Sequence, residues 1–301
     1  MQLGQDRRVG IESEFESFKA RVRCEVEQAL EAGFALTADT QVSRVARYAA
    51  LGGGHRWRAM ATVAAGCVFD DRAMSICMPG ACGAELAHAA SLLLDDLPSM
   101  DNATVRRGKP CAHLRFPRWA VDMAPAFLVN LGYRIALRNP LASAERRVAA
   151  ALELAKAACE MFEGQEMDVT EAARAGDGAE LLQCYRLKTG ALYASSAKAG
   201  AILCGAGRQE ADTLYECGMK LGLSYQILDD TADVLGGVER AGKPTGLDGA
   251  KPTALAFYGV EGAEARASEL AEQALASLDA FGPRADMLRC LIRKASWVQT
   301  A

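Results

Sequence analysis

The 301-residue sequence is short of the features that mark several large functional classes. It has three histidines, and its ten cysteines include no CxxC pair, Cys77 and Cys82 being the nearest to each other. That spacing suits neither a zinc knuckle nor a redox dithiol, so the cysteines read as small buried hydrophobes of a reducing compartment. Charge of one sign is also lacking. The net charge is -4, with acidic and basic residues mixed along the chain, which argues against a nucleic-acid partner. Arg, Glu, Asp or Lys interrupts each apolar stretch before membrane-spanning length, so no membrane span is expected. The first residues, MQLGQDRRVGIESEFESF, lack the apolar core of a signal peptide, and a cytoplasmic protein is expected. Ser/Gly-rich tracts, charge blocks and repeats are absent, and alternating β-branched runs are scarce.

What is present is helical periodicity punctuated by Gly and Pro, with 50% hydrophobic residues to fill a large core. A single all-α domain over residues 1–301 is expected, with residues 1–12 disordered. Ser13 and Glu16 have the form of a capping box, so the first helix is expected to start there. Phe15, Phe18, Val22 and Val26 then recur at helical spacing to about Gly33.

Residues 92–110, LLLDDLPSMDNATVRRGKP, organise the rest. Asp95, Asp96 and Asp101 close an apolar run, and Arg106 and Arg107 follow within a few residues. Clustered carboxylates raise one another's pKa and repel unless a cation intervenes. Oxygen donors with no His or Cys at ligand spacing point to a hard ion such as Mg²⁺, which completes its shell with phosphate oxygens and water. Arginine forks suit the same phosphates. Pro98 is expected to end the helix, leaving Asp95 and Asp96 on its last turn and Asp101 on the turn after. A solvated acidic helix end followed by a basic loop is the rival reading of this one stretch.

A second stretch changes that balance. In residues 222–236, GLSYQILDDTADVLG, Asp229 and Asp233 stand four apart with Asp230 beside them, so at least two carboxylates share a helix face. Two aspartate clusters about 130 residues apart, each after an apolar segment, suggest two helices facing across a cavity that holds metal and diphosphate.

Together, DDLPSMDNATVRRGKP and YQILDDTADVLG resemble the first and second aspartate-rich motifs of the trans-isoprenyl diphosphate synthases, the farnesyl and geranylgeranyl diphosphate synthase family. Order, separation and flanks match, and the resemblance spans roughly residues 50–255. It implies an isoprenoid-synthase-type helical bundle around a central cavity and a homodimer. It implies Mg²⁺, about three ions per site, held by Asp95, Asp96, Asp101, Asp229 and Asp233. Isopentenyl diphosphate and an allylic diphosphate would be the substrates.

Other motifs carry the resemblance further. In residues 51–58, LGGGHRWR, three glycines precede a basic cluster at a helix start, a place where backbone and charge can meet an anion. The family binds isopentenyl diphosphate here, which implicates Gly54, His55, Arg56 and Arg58, with Arg107 and His88 beside them. His55 stands where the family has lysine and Ala59 where it has proline. Histidine is charged near neutrality only if a bound diphosphate raises its pKa, so weaker isopentenyl diphosphate binding above neutrality is expected. Arg118 and Pro125 also depart from the pattern, while His113 and Phe116 keep it. Gly164, Gln165 and Asp168 match a cavity-facing motif, and Lys188 with Thr189 a pair on the allylic diphosphate. Gln226 and Tyr225 precede the second cluster. Lys243 matches a diphosphate-contacting lysine in a glycine-rich stretch, 236–253, expected to be a mobile loop; the spacing of Asp248 and Lys251 there is shorter than usual.

The implied reaction is metal-assisted ionisation of the allylic diphosphate by Asp95, Asp96, Asp101, Asp229 and Asp230, helped by Arg106, Lys188, Thr189, Gln226 and Lys243. Condensation with isopentenyl diphosphate and loss of a proton follow, and no side-chain base stands out. Ala90 and Ser91, five and four residues before Asp95, are small where bulky aromatics in the family stop growth at fifteen carbons, so geranylgeranyl diphosphate is the expected product. A floor at Leu92 or Met123, and hence farnesyl diphosphate, is the alternative. A terpene cyclase would need neither the second DDxxD nor GGGHRWR. A weakly active or non-catalytic subunit of a prenyltransferase heterodimer would be expected to have lost aspartates that are intact here, but His55, Ala59 and the shortened loop keep it as a further alternative.

Overall fold

The computed structural model describes residues 2–170, 178–235 and 253–297. The first helix, α1, spans Gln2–Ala35. It therefore begins well before Ser13, whose carbonyl accepts from Ser17 Oγ at 3.1 Å within the helix, so the expected capping box is not a helix start. The apolar stripe of α1 is as read: Phe15, Val22, Val26 and Leu30 are fully buried and Phe18 packs against the same core. In α2, Gln41–Ala50, the box expected of α1 is found at Thr40 and Ser43, which exchange both bonds.

The core helices follow as α3 (Trp57–Cys67), α4 (Ala73–Asp95), α5 (Arg118–Leu137) and α6 (Ala144–Val169). After these come α7 (Gly178–Tyr185), a π-helical turn over Arg186–Gly190, and α8 (Ala191–Leu203). The chain closes with α9 (Arg208–Leu235), α10 (Ala254–Ala276) and α11 (Asp286–Trp297). The all-α expectation holds; among the described residues the only sheet is a hairpin of two-residue strands, β1 (Val105–Arg106) and β2 (Lys109–Pro110).

Two helices sit at the centre. α4 packs on α3 and α5, and α8 on α3, α6 and α9. Both are apolar nearly all round, as central helices must be. The Ala, Ser and Gly of ALYASSAKAGAIL let the neighbours of α8 approach closely. α4 corrects one sequence reading. From Ala73 to Leu94 its only charged residue is Glu85, and by length and composition it could cross a membrane; most of it is instead buried in the bundle. A smaller core joins Leu181 and Tyr185 of α7, Ile227 and Leu228 of α9, and Ala263 and Leu270 of α10. Of the cysteines, seven are buried and Cys67 is half-buried, as expected, while Cys24 and Cys159 are exposed.

Candidate active site

The carboxyl end of α4 and the inner face of α9 open on one cavity of about 560 Å³. Asp95 ends α4, and the chain then turns back on itself: the Asp101 amide donates to the Asp95 carbonyl at 2.9 Å, and the Asn102 amide to that of Leu97 at 3.0 Å. Pro98 thus stops the helix as read, and the turn sets Asp101 beside Asp95 on the cavity wall. Across from them stand Asp229 and Asp233, one helical turn apart. Burial holds the Asp95 carboxyl above its ordinary range against the pull of Lys188, and Asp101 adds to the rise.

The structure divides the aspartates. Asp96, expected among the metal ligands, is buried and accepts from Arg106 Nε at 3.0 Å and Nη2 at 2.6 Å. Its place is to anchor the hairpin arginine beneath the cavity wall. Asp230 lines the cavity but accepts from the Tyr185 hydroxyl, from Gln226 Nε2 at 3.0 Å and from the Ala254 amide at 3.2 Å. Burial lifts its pKa to about 6. Gln226 in turn accepts from Thr189 Oγ1 at 2.7 Å, so a chain of polar groups joins the π-helical turn, α9 and the start of α10.

Lys188 and Thr189 lie on the π-helical turn, a bulge of the sort that often marks functional sites. Lys188 Nζ reaches Asp168 Oδ2 at 2.6 Å. Gly164 is what permits this. A Cβ there would stand 2.4 Å from the Lys188 backbone nitrogen, so only glycine lets α6 pass so close to the turn. Gln165 also lines the cavity.

The other end of the cavity is basic. Arg107 and Gly108 are the two central residues of the hairpin, and both have positive φ (53° and 72°), as two-residue hairpins of twisted strands require. From that turn Arg107 reaches the Gly53 carbonyl and covers Gly54, where a Cβ would meet the guanidinium carbon at 2.7 Å. Gly54 itself has φ of 122°, open only to glycine. Arg58 lies with its guanidinium carbon 4.7 Å from the Tyr193 ring centroid. His88 lines the same wall; burial, then the charges of Arg58 and Arg107, push its pKa well below the ordinary value, so it is a neutral imidazole. His55 stacks on Trp57, and burial, then Arg23, Arg107 and Lys19, lower its pKa too.

Arg56 departs from the sequence reading. It is buried in the left-handed region (φ 59°) and bonds Glu27 through Nε at 2.8 Å, Glu85 through Nη1 at 3.2 Å and the Ala50 carbonyl at 2.7 Å. Glu85 completes the clamp by accepting from the Ala59 amide at 3.0 Å. Arg56 lines the cavity, but its charge is already matched by Glu27 and Glu85, so it acts as a strut that holds a strained backbone at the entrance of α3. Glu27, Glu85, Tyr185 and Tyr193 had no signal in local spacing, because their partners are far off in sequence. Of the expected chain-length residues, Ala90 and Ser91 line the cavity below Asp95, as does Leu92. Met123 is not among the lining residues and is exposed on α5. Lys243, Asp248 and Lys251 lie outside the described residues.

The donor set fits a hard divalent ion. Asp95 and Asp101 face Asp229 and Asp233, all through oxygen, with no His or Cys among them. Among the described residues no three such side chains converge on one point. Each ion would then take carboxylates from one wall and fill its shell with phosphate oxygens and water, the usual habit of Mg²⁺.

Comparison with known proteins agrees with this geometry. The family model described as polyprenyl synthetase matches residues 39–281. A geranylgeranyl diphosphate synthase of Cereibacter sphaeroides is 33% identical, covering 92% of this chain and 95% of its own. A probable farnesyl diphosphate synthase of Sinorhizobium fredii is 32% identical over 86% of this chain and 80% of its own. The solved structure of an FPP/GFPP synthase from Zymomonas mobilis superposes with a TM-score of 0.83 at 29% identity, covering 94% of this chain and 99% of its own.

Proposed function

The chain belongs to the polyprenyl synthetase family and is a short-chain prenyltransferase, and on that premise we propose that it condenses isopentenyl diphosphate with an allylic diphosphate to give geranylgeranyl diphosphate. One observation carries the reading. A single cavity has carboxylates on two facing walls at one end and uncancelled arginines at the other, so it can take two diphosphates of different fate.

The ends divide the work. Mg²⁺ held by Asp95, Asp101, Asp229 and Asp233 would supply Lewis-acid neutralisation of a leaving diphosphate. Lys188, fixed by Asp168, adds a compact positive charge beside that group. Thr189 and Gln226, bonded to each other, hold the wall between the two ends. Arg58 and Arg107 bind the second diphosphate, and the bond to the Gly53 carbonyl holds Arg107 in place for it. Tyr225, whose pKa burial raises to about 12, stays a neutral phenol and offers an aromatic face toward developing allylic charge. The departed diphosphate, left beside the allylic carbons, takes the proton of the final elimination.

The product length follows from the wall below Asp95. Ala90 and Ser91 are small, and the cavity continues past them to Val129 on α5 and to Ala158 and Met161 on α6. A fifteen-carbon product is the second reading, supported by the bulk of Met161 and Phe162 at that far end. Incubating the protein with isopentenyl diphosphate, each allylic starter in turn and Mg²⁺, then sizing the products, tests both readings. A twenty-carbon main product is expected. A fifteen-carbon one would place the floor at α6, and no product from any starter would overturn the reading.

A further inference from the structure

Four arginines surround the basic end of the cavity, and the structure treats them differently. Arg56 is neutralised by Glu27 and Glu85, and Arg106 by Asp96. Arg107 is held by a neutral carbonyl. Arg58 has no ion pair among the described residues, and its Nε is buried without a hydrogen-bond partner. Its one directional contact is the face of Tyr193. Tyr193, on α8, is fully buried, and its hydroxyl also has no partner. Tyr225 packs against it in a tilted pair, ring centroids 5.8 Å apart.

A carboxylate would hold Arg58 more tightly but would cancel the charge needed for a diphosphate. An aromatic face holds a guanidinium through its quadrupole and leaves the charge in place. It also removes beforehand part of the freedom that an unpaired, rotamer-rich side chain would lose on binding. The hydroxyl takes no part in this contact, since Arg58 lies over the ring and no protein group hydrogen-bonds the hydroxyl.

We propose that Tyr193 is a positioning residue for the non-ionising substrate: its ring presents Arg58, undiminished in charge, to the diphosphate of isopentenyl diphosphate. This rests on reading the basic end as that substrate's site. Tyr193 acts through Arg58 and touches no reacting atom. Its effect is therefore confined to one substrate.

Steady-state kinetics of the full-length protein with isopentenyl diphosphate varied at saturating farnesyl diphosphate and Mg²⁺ test it. Tyr193→Leu is expected to raise the KM for isopentenyl diphosphate about 5- to 30-fold, leaving kcat and the KM for the allylic substrate within about twofold. Tyr193→Phe, which keeps the ring and drops the idle hydroxyl, is expected to match the wild type. Tyr193→Met carries the same test where the leucine variant does not fold. An unchanged KM for isopentenyl diphosphate in the leucine or methionine variant overturns the proposal. So does a fall in kcat and a rise in both KM values together that phenylalanine fails to rescue, which would mark a packing role only. A wild type that condenses nothing overturns the reading of the site itself, and the proposal with it.

Discussion

Lys188 Nζ stands 2.6 Å from Asp168 Oδ2, and the two residues meet because Gly164, one turn before Asp168, lets the π-helical turn lie against α6. The Lys188 cation on the cavity wall is thus positioned by a backbone contact as well as by its carboxylate.

Gly164→Ala should break this contact. The new methyl would meet Lys188 N at 2.4 Å and Leu187 C at 2.9 Å, both backbone atoms that cannot swing aside. A loss of about 1 to 3 kcal/mol in stability is expected from the overpacking. Turnover should fall further, about 10- to 100-fold, because Lys188 is displaced from its place. Chemical denaturation and kcat at saturating substrates measure the two effects separately.

Arg56 and Arg58 should give opposite phenotypes despite lying two residues apart. Arg56→Gln leaves Glu85 buried and unpaired and releases the strained backbone at φ 59°, so a stability loss of about 3 kcal/mol is expected. Arg58→Gln breaks no ion pair and should leave stability nearly unchanged. It should raise the KM for isopentenyl diphosphate about 10- to 100-fold, the range for a lost charged hydrogen bond. Melting temperature and KM, taken on both variants, separate a strut from a ligand.

His55 should make isopentenyl diphosphate binding pH-dependent. Its folded pKa lies below the ordinary histidine value of about 6.5, by burial and then by Arg23, Arg107 and Lys19. The free protein therefore carries the extra positive charge only on the acid side, and a diphosphate favours that form. As pH rises, the KM of the wild type relative to His55→Lys should climb and then level off once the imidazole is neutral in both free and bound states. Measuring both proteins from about pH 5.5 to 8.5 cancels the ionisation of the substrate itself. Parallel profiles would show that His55 contributes no charge.

Ala90→Phe should shorten the product. The side chain at this position lines the cavity one turn and more below Asp95, so an added ring would stand in the path of the prenyl tail. The main product is expected to move from twenty to fifteen carbons, with little change in the rate of the first condensation. Chromatographic sizing of the products decides it, and an unchanged length would put the floor beyond α4.

The order and spacing of DDLPSMD, GGGHRWR, KTG and DDTAD were enough to read the family, the helical class and the facing carboxylates. Each motif is local, and a helix converts a spacing of four into a shared face without help from the rest of the chain. The start of α1 was misread for the complementary reason: a local capping signal at Ser13 was outweighed by a helix that continues to Gln2. The expectation that charges break every apolar stretch fails at α4 for a like reason, since composition alone cannot tell a bundle centre from a bilayer.

What only the tertiary structure decided was how like residues divide their roles. Asp95, Asp96, Asp229 and Asp230 are chemically alike in the sequence. Arg106 claims Asp96, and Tyr185, Gln226 and Ala254 claim Asp230, while Asp95 and Asp229 line the cavity walls proposed above to hold Mg²⁺. The arginines divide in the same way, because Glu27 and Glu85 reach Arg56 from 29 residues away on either side, and Tyr193 reaches Arg58 from another helix altogether. Charge type and motif are written in the neighbouring residues. Whether a charge is spent or kept depends on which distant partner the fold brings within hydrogen-bonding distance, because a buried ion must be matched and an unmatched one remains available to a ligand.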